Sequence, residues 1–403
     1  MPNSSPQTKN TMNLKTASKL YTSFLKTLKK SFIKRNIEID ILSIGLIIQK
    51  NVAFIGSPGE AKSALVEAFA SCLSLPTFSY QLNAHTTPDE LLGHFSLKEM
   101  KDNDQFIRKT QGKLPDCKIA YLDEYGNASG ATSKAIQLAL NEKQVDLGNG
   151  SRIKIPLEMA IGSTNEDVSK VKDLAAFWDR WCLRRVTEPT LNCVNDRELD
   201  SFIAGAFKEV PTIGRVPQGT KIDFKVVEFF RANLFKVDLS PVLDKFKKLI
   251  RFLKQQKKQI SSRRMTWCLQ AIAASSLIQG RMVAQSSDLK VLAEMLWIHP
   301  EDRELIVAKI KELSVSVLDD VKRLYDIAKS KTLDLQKLNQ QSSDLSLSVP
   351  QRMEAMQKFT SEFQTLSALI DSELPKLESA IKDPDEEFLF WAKKIQNLKT
   401  LTV

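Results

Sequence analysis

The residues that follow the first predicted strand have the types and spacing of a phosphate-binding loop. The apolar run "NVAFI" leads into "GSPGEAKS", and a helical pattern begins directly afterwards. In such a strand–loop–helix unit, backbone N–H groups hold the phosphates, while Lys62 would contact the β- and γ-phosphates and Ser63 would ligate Mg²⁺. Ala61 stands where the common pattern has glycine, but alanine removes none of these donors. A tight turn that binds no ligand gives a similar pattern, so residues elsewhere in the chain must show whether this loop binds a nucleotide.

Two further strands end in polar residues that could complete a hydrolytic site. "KIAYLDE" ends in Asp123 and Glu124, and "EMAIGSTN" ends in Asn165. Adjacent carboxylates repel each other unless a cation or polar partners compensate, which favours a magnesium-binding Asp123 and a water-activating Glu124 over a solvated turn. The neutral amide of Asn165 could orient the attacking water, although Asn is also a common turn residue.

Arginines in two places could contact phosphates. Arg180, in "AAFWDRWCLRRV", could be offered to the γ-phosphate of a neighbouring subunit, and the alternative is a surface ion pair with Asp179. Arg184 and Arg185 follow closely and could take part instead. Arg263, at the start of a predicted helix, could lean over the phosphates of its own subunit.

Composition describes a globular chain with a basic balance. Its 403 residues, 42% hydrophobic and 26% charged, can bury a sizeable core. The net charge of +10 permits binding to nucleic acid, an acidic protein or an anionic surface. Five cysteines without metal-ligand spacing predict neither disulfides nor structural zinc and favour a reducing, cytoplasmic compartment. No apolar run approaches the roughly 20 residues of a membrane span.

Periodicity divides the chain into an α/β part and helical parts. Short apolar runs alternate with helical patterns up to about residue 190, which indicates a parallel sheet with flanking helices. A Gly/Pro-rich stretch then interrupts the pattern, and everything beyond it is predicted as helix. The predicted parts are a flexible N-terminus 1–17, an α/β core 18–209, a linker 210–221, an all-α lid domain 222–310 and a C-terminal helical hairpin or bundle 311–403.

The basic segment "LKTASKLYTSFLKTLKKSFIKR" has two interpretations. Its Ser content and lack of acidic residues resemble an organelle transit peptide. Its apolar residues recur near helical spacing, which favours an amphipathic helix packed on the core. We expect the helix, with Leu20, Phe24, Leu25 and Leu28 on its apolar face.

Together, these motifs resemble those of the AAA+ ATPases, and specifically the MoxR group and its RavA branch. The resemblance covers about residues 18–310. MoxR-type proteins commonly carry Ala before the loop lysine, so "GSPGEAKS" is similar to their form of the motif. "TTPDELLGHFSLKEMKD" looks like the insertion that this group has within its second helix, and "SSRRMTWCLQAIAASSLIQGRM" resembles the RavA-type lid domain.

The resemblance implies an ATP-hydrolysing ring, expected to be a hexamer, with ATP and Mg²⁺ at subunit interfaces. It implies Glu124 as the base, Asn165 as sensor 1 and Arg180 as the arginine finger. Ser63 and Asp123 would hold the metal. The implied nucleotide-binding residues are Gly56, Ser57, Pro58, Gly59, Glu60, Ala61, Lys62 and Ser63 of the Walker A loop, Asp123 of Walker B, and Arg263 as sensor 2.

The resemblance also implies a chaperone-like remodeller or maturation factor for protein complexes, with a von Willebrand A-domain partner. RavA proteins engage a lysine decarboxylase as well, through a small β-rich domain inserted in their C-terminal helical region. Residues 311–403 are too short and too helical to hold that domain. A lysine decarboxylase is therefore not an expected partner.

Two other functions are open at this point. A nucleic-acid-directed AAA+ motor or loader could use the lysines of "KFKKLIRFLKQQKKQ", although such runs are more often a solvated helix face. No zinc site or aromatic-interleaved basic motif accompanies them. A scaffold without hydrolysis is disfavoured, because every hydrolytic position is filled.

Overall fold

The computed structural model describes most of the chain as two compact units, Met1–Leu313 and Ser314–Val403. The described residues are 12–146, 151–168, 178–189, 216–217, 219–258, 260–314, 317–379 and 386–400. Most of the predicted linker and Cys193 lie outside them. The other four cysteines, Cys72, Cys117, Cys182 and Cys268, are free and buried.

Within the described residues, five parallel strands form the central sheet of the first unit, in the order β2-β3-β6-β1-β7. The strands are β1 Asn51–Ile55, β2 Thr77–Gln81, β3 Ile119–Asp123, β6 Met159–Thr164 and β7 Trp181–Val186. A short antiparallel hairpin, β4 Gln144–Asp146 and β5 Arg152–Lys154, precedes β6. The apolar runs of β1 and β6 are buried throughout, as expected for central strands covered on both faces. All carboxyl ends of the parallel strands meet at one edge, which is where the site forms.

Helices of the α/β part connect and flank these strands. They are α1 Leu14–Ser31, α2 Asn36–Ile48, α3 Lys62–Leu73, α4 Pro88–Leu92, α5 Leu97–Asn103 and α6 Gly130–Glu142. The segment predicted as the insertion contains α4 and α5, between β2 and β3. A bridge between Phe95 and Arg108 closes the turn around α5.

Helix α1 confirms the amphipathic interpretation of the basic N-terminal segment, with two corrections. It begins at Leu14, inside the stretch predicted to be flexible, because the Asn13 side chain accepts the N–H of Thr16 and caps it. Leu20 is 47% exposed, whereas Tyr21 occupies the core-facing position. The buried stripe contains Ala17, Tyr21, Phe24, Leu25 and Leu28.

The described residues from Phe224 to the end of the first unit are mainly helical and share one continuous hydrophobic core with the sheet. Its elements are α7 Phe224–Asn233, α8 Ser240–Gln255, α9 Ser262–Ile278, a 3-10 helix Ser286–Glu294, and α10 Arg303–Ser314. Helix α8 carries the lysine run and buries Val242, Phe246, Leu249 and Leu253 on its other side. Most of its lysines are exposed, which is the ordinary pattern of a surface helix.

The second unit consists of α11 Val317–Ser343, α12 Val349–Ser379 and α13 Glu386–Thr400 in its described residues. Apolar residues of all three helices form a separate core, which includes Leu324, Leu366, Ile370 and Ile395. The predicted fold class, a parallel-sheet core followed by an all-α lid and C-terminal helices, is confirmed. No described helix has the length and hydropathy needed to cross a membrane.

Candidate nucleotide-binding site

The loop between β1 and α3 approaches neighbouring strands too closely for most side chains. The Gly56 N–H donates to the Thr164 carbonyl at 3.0 Å. A Cβ at Gly56 would lie 2.5 Å from the carbonyl oxygen of Thr187, so only glycine fits there. Arg35 supports the loop from the other side, since its guanidinium donates to the Glu60 carboxylate at 2.5 Å and to the Glu60 carbonyl at 3.2 Å.

Ala61 immediately precedes helix α3 in a left-handed conformation, with φ +56°. This conformation costs an L-residue roughly 1–2 kcal/mol, so alanine fits at an energetic cost. Among the described residues no side chain caps the helix at Ala61, so the first N–H groups of α3 have no capping acceptor there. Uncapped N–H groups at a helix start are the donors that phosphates accept, and the loop therefore fits a nucleotide.

Lys62 lies between this loop and the carboxyl edge of the sheet. Its Nζ donates to the carbonyls of Gly56 at 2.5 Å and Ser57 at 2.8 Å, and to Asn165 Oδ1 at 3.3 Å. Burial lowers the pKa of Lys62, and the carboxylate of Glu124 opposes that shift most strongly. The ammonium is thus held where phosphates would lie beside the carboxylates.

The two predicted carboxylates lie side by side where β3 ends. Asp123 Oδ1 accepts the N–H of Glu124 at 3.1 Å, and Glu124 itself has a left-handed φ of +52°. Burial raises the pKa of Glu124, and the neighbouring Asp123 charge raises it further. A carboxylate with a raised pKa is better matched to accepting a proton near neutral pH.

Asn165 connects the lysine to the base. Its Nδ2 donates to Glu124 Oε1, while its Oδ1 accepts from Lys62. The structure therefore brings Lys62, Glu124 and Asn165 together, as the motif spacing predicts. In this arrangement the amide orients the Glu124 carboxylate, and the orientation of water by Asn165 stays a prediction.

Two hydroxyl residues of the site were missed by the sequence analysis. The Tyr121 hydroxyl lies 2.9 Å from Ser63 Oγ and 2.7 Å from Ser163 Oγ, and Ser163 also donates to Asp123. Residues two apart on a strand face the same side. Positions two before Asp123 and two before Asn165 could therefore have been identified from the strand motifs.

Arg180 lies at the opposite, amino-terminal edge of the sheet. It directly precedes β7, whose first residue, Trp181, pairs with Asn51 at the start of β1. The five residues of β1 at about 3.3 Å each separate this edge from the loop by roughly 17 Å, beyond the reach of one side chain. The alternative, an ion pair of Arg180 with Asp179, is not found among the described residues, where the Asp179 carboxylate accepts from Arg264 at 3.0 Å. Within the described residues, Arg180 Nε has no hydrogen-bond partner.

Arg184 and Arg185, the alternatives for a phosphate-contacting arginine, are buried and engaged within the chain. Arg184 donates to the carbonyls of Trp297 at 2.5 Å, Trp178 at 3.0 Å and Trp181 at 3.0 Å. Arg185 pairs with two buried carboxylates of its own chain. Neither guanidinium is available to a neighbouring subunit.

The structure corrects the position predicted for Arg263. Helix α9 begins beside the amino-terminal edge of the sheet, where Arg264 donates to the Cys182 carbonyl at 3.0 Å and to Asp179. Burial lowers the pKa of Lys50, the residue before β1, and the charge of Arg263 adds to that effect. Arg263 is therefore exposed on the same edge as Arg180 and does not lean over the loop of its own chain.

A phosphate loop after β1, carboxylates after β3, an amide after β6 and a helical lid define the AAA+ class of ATPases. Residues 18–215 match the family described as the MoxR domain in the MoxR-vWA-beta-propeller ternary systems. Residues 241–310 match an AAA lid domain. The chain belongs to the MoxR family of AAA+ ATPases, which confirms the predicted family; the RavA branch stays a prediction.

Relatives and a solved structure agree with this assignment. An uncharacterised protein of Methanocaldococcus jannaschii is 33% identical over 288 residues, which are 71% of this chain and 74% of the relative. A second uncharacterised protein of the same organism is 31% identical over 324 residues, 79% of this chain and 82% of the relative. The crystal structure of a "putative ATPase" from Cytophaga hutchinsonii superposes with a TM-score of 0.57 at 17% identity, covering 75% of this chain and 96% of that one. At that identity the likeness concerns the fold alone.

Proposed function

We propose that this chain hydrolyses ATP with Mg²⁺ as a ring of identical subunits, expected to be a hexamer. The main support is that hydrogen bonds join Lys62, Asn165 and Glu124 beside the start of helix α3, where no side chain of the described residues caps the helix. Arg180 and Arg263 lie on the other edge of the sheet, where they can serve only a neighbouring subunit. The two halves of one catalytic site thus come from two adjacent chains.

In this proposal Glu124 accepts a proton from the attacking water. Asn165 orients both the Glu124 carboxylate and that water towards the γ-phosphate. Lys62 binds the β- and γ-phosphates, together with the N–H groups at the start of α3. Ser63 and, through water, Asp123 would hold Mg²⁺, which neutralises charge on the phosphates. The guanidinium of Arg180 enters from the adjacent subunit and stabilises the charge that develops during hydrolysis.

The role of Glu124 is tested by Glu124→Gln. The amide is isosteric but cannot accept a proton, so we expect retained ATP binding and a fall in turnover of about 10²- to 10⁴-fold. The matched control is Glu142→Gln, at an exposed carboxylate of α6 that pairs with Arg152 at 3.6 Å. Unchanged phosphate release by the Glu124 variant would exclude it as the base.

The shared site is tested by mixing two inactive variants. Arg180→Ala subunits keep a complete loop, while Lys62→Ala subunits keep the arginine. In a random one-to-one ring, about one quarter of the interfaces combine an intact loop with an intact arginine. We expect partial recovery of turnover in the mixture and none when either variant is assembled alone. A mixture as inactive as its components would contradict an arginine supplied by the neighbour.

We further propose that the ring acts as a chaperone-like remodeller or maturation factor with a von Willebrand A-domain protein. The support is the match to the MoxR domain of MoxR-vWA-beta-propeller systems. Affinity capture should compare Glu124→Gln, which holds ATP, with Lys62→Ala, which does not bind it. A von Willebrand A-domain protein retained by the first variant and lost from the second is the expected result. Steeply salt-dependent binding of nucleic acid would instead support the motor alternative.

A further inference from the structure

We propose that Tyr121 is a positioning residue that fixes the direction of the Ser63 hydroxyl through a one-way chain of hydrogen bonds ending at Asp123. The proposal rests on the proposed function, because it concerns how this chain's own residues are prepared for Mg²⁺ and nucleotide. It assigns a role to two residues, Tyr121 and Ser163, that lie between the loop and the magnesium-binding carboxylate.

The chain of hydroxyl groups is continuous, and its two inner members are buried. Tyr121 is 5% exposed and Ser163 is fully buried. The phenol oxygen contacts Ser63 Oγ at 2.9 Å on one side and Ser163 Oγ at 2.7 Å on the other. Ser163 Oγ in turn donates to Asp123 Oδ1. The contacts alone do not state which way each proton points between Ser63, Tyr121 and Ser163.

Counting protons determines the direction of the chain. An ionised carboxylate only accepts, so the single proton of Ser163 is used on Asp123. Ser163 Oγ must then accept from Tyr121, whose single proton is used there. The Tyr121 oxygen consequently accepts from Ser63. The phenol of tyrosine carries its proton at neutral pH, so this proton is available to Ser163.

This direction prepares both proposed metal ligands. The Ser63 proton points towards Tyr121, and the lone pairs of Ser63 Oγ are left for a cation. Asp123 Oδ1 already accepts from Ser163 and from the Glu124 N–H, so its other oxygen is the one directed to metal-bound water. Tyr121→Phe retains the ring in the core but removes the acceptor for Ser63 and the donor for Ser163.

The experiment measures how much Mg²⁺ strengthens nucleotide binding. A fluorescent ADP analogue is titrated into the wild type and Tyr121→Phe, once with Mg²⁺ and once with EDTA. We expect equal affinities in EDTA and a roughly 3- to 10-fold smaller gain from Mg²⁺ in the variant, the effect of one hydrogen bond. Ser163→Ala should give a loss in the same direction, because it breaks the same chain. The double variant should lose little more than either single variant, since the residues act as a unit.

The matched control is Tyr21→Phe. Tyr21 is also a buried tyrosine whose hydroxyl bonds to a serine, Ser43 at 3.0 Å, but it belongs to helix α1. It should keep the full gain from Mg²⁺.

Three outcomes would overturn the proposal. An unchanged Mg²⁺ gain in Tyr121→Phe would show that the chain does not position Ser63. A loss of affinity in Tyr121→Phe that is equally large with Mg²⁺ and with EDTA would show a packing effect only. If Tyr121→Phe does not fold, an unchanged gain in Ser163→Ala overturns it. Failure of the wild type itself to bind the nucleotide would instead contradict the proposed function, so the two failures are distinguishable.

Discussion

Arg185 connects the sheet to the helical lid, and its replacement by methionine should destabilise the first unit. Its guanidinium lies between Glu38 of α2 and Glu294 of the 3-10 helix, at 3.4 Å from each. The side chains of Arg185, Glu38 and Glu294 are only 9%, 2% and 4% exposed. Glu294 keeps a second partner, Arg303 at 2.6 Å, whereas Glu38 would be left as a buried carboxylate without its ion pair.

The expected loss of stability depends on Glu294 keeping a partner while Glu38 does not. Removing one partner of a buried ion pair costs about 3–5 kcal/mol of unfolding free energy, because the other charge stays buried and uncompensated. Since Arg303 still compensates Glu294, we expect a value near the lower end, about 3 kcal/mol. Adding Glu38→Gln to Arg185→Met removes the stranded charge, so the double variant should regain roughly half of the loss.

The loss should also depend on pH. Burial raises the pKa of Glu38 even though Arg185 opposes the shift. A pKa raised in the folded state means that the folded protein binds the proton more tightly than the unfolded chain does. The stability that Glu38 contributes by binding this proton is therefore lost as pH rises through its folded-state pKa. Without Arg185 the pKa rises further. The difference in stability between wild type and Arg185→Met should therefore shrink from pH 8 to pH 5.

Urea unfolding followed by tryptophan fluorescence measures this loss. Four of the five tryptophans belong to the first unit, so the signal reports on that unit. A loss below about 1 kcal/mol would be typical of an exposed pair and would refute the reasoning. A loss that neither Glu38→Gln nor acid reduces would mean that packing, and not the stranded charge, causes it.

Five substitutions at three other places test further parts of the structure. Ala61→Gly should alter the melting temperature little and keep nucleotide binding, since relief of the left-handed strain is offset by unfolded-state entropy, whereas Ala61→Val should cost more than about 1 kcal/mol. Arg264→Ala should lower the urea midpoint strongly, because its guanidinium donates to the carbonyls of Cys182 and Met295 and to Asp179. Arg263→Ala should leave the urea midpoint unchanged and reduce ATP turnover. Gly162→Ala should lower the melting temperature, because the added Cβ would lie 2.7 Å from both Trp181 and Tyr125.

The carboxyl edge of the sheet could be predicted from the sequence because its geometry follows from local rules. Each of β1, β3 and β6 is an apolar run that ends in polar residues, and parallel strands bring those ends to one edge. Lys62, Glu124 and Asn165 meet for this reason, without any knowledge of how the helices pack. Tyr121 and Ser163 follow from the same alternation, because each lies two residues before a predicted site residue at the end of its strand.

The amino edge could not be predicted, because it depends on where the lid docks. Arg263 and Arg264 are neighbours in the sequence with opposite environments: Arg264 is buried among backbone carbonyls, while Arg263 faces solvent. Helical phase separates two such residues, but only tertiary packing decides which edge of the sheet they reach. The same packing brings Arg264 to the Asp179 carboxylate, an ion pair that the sequence did not indicate.

A cluster of aromatic side chains connects residues near the carboxyl edge of the sheet with residues near its amino edge. Tyr125 directly follows Glu124, and its ring lies 4.9 Å from Trp181, the residue after Arg180. Trp178, two residues before Arg180, stacks on Tyr125 at 6.5 Å and contacts Trp297 of the lid at 5.9 Å. Gly162 of β6 leaves room for this contact, since a Cβ there would meet both Trp181 and Tyr125. The Tyr125–Trp181 ring contact therefore joins the residue after the proposed base of one site to the residue after the arginine proposed to serve the next.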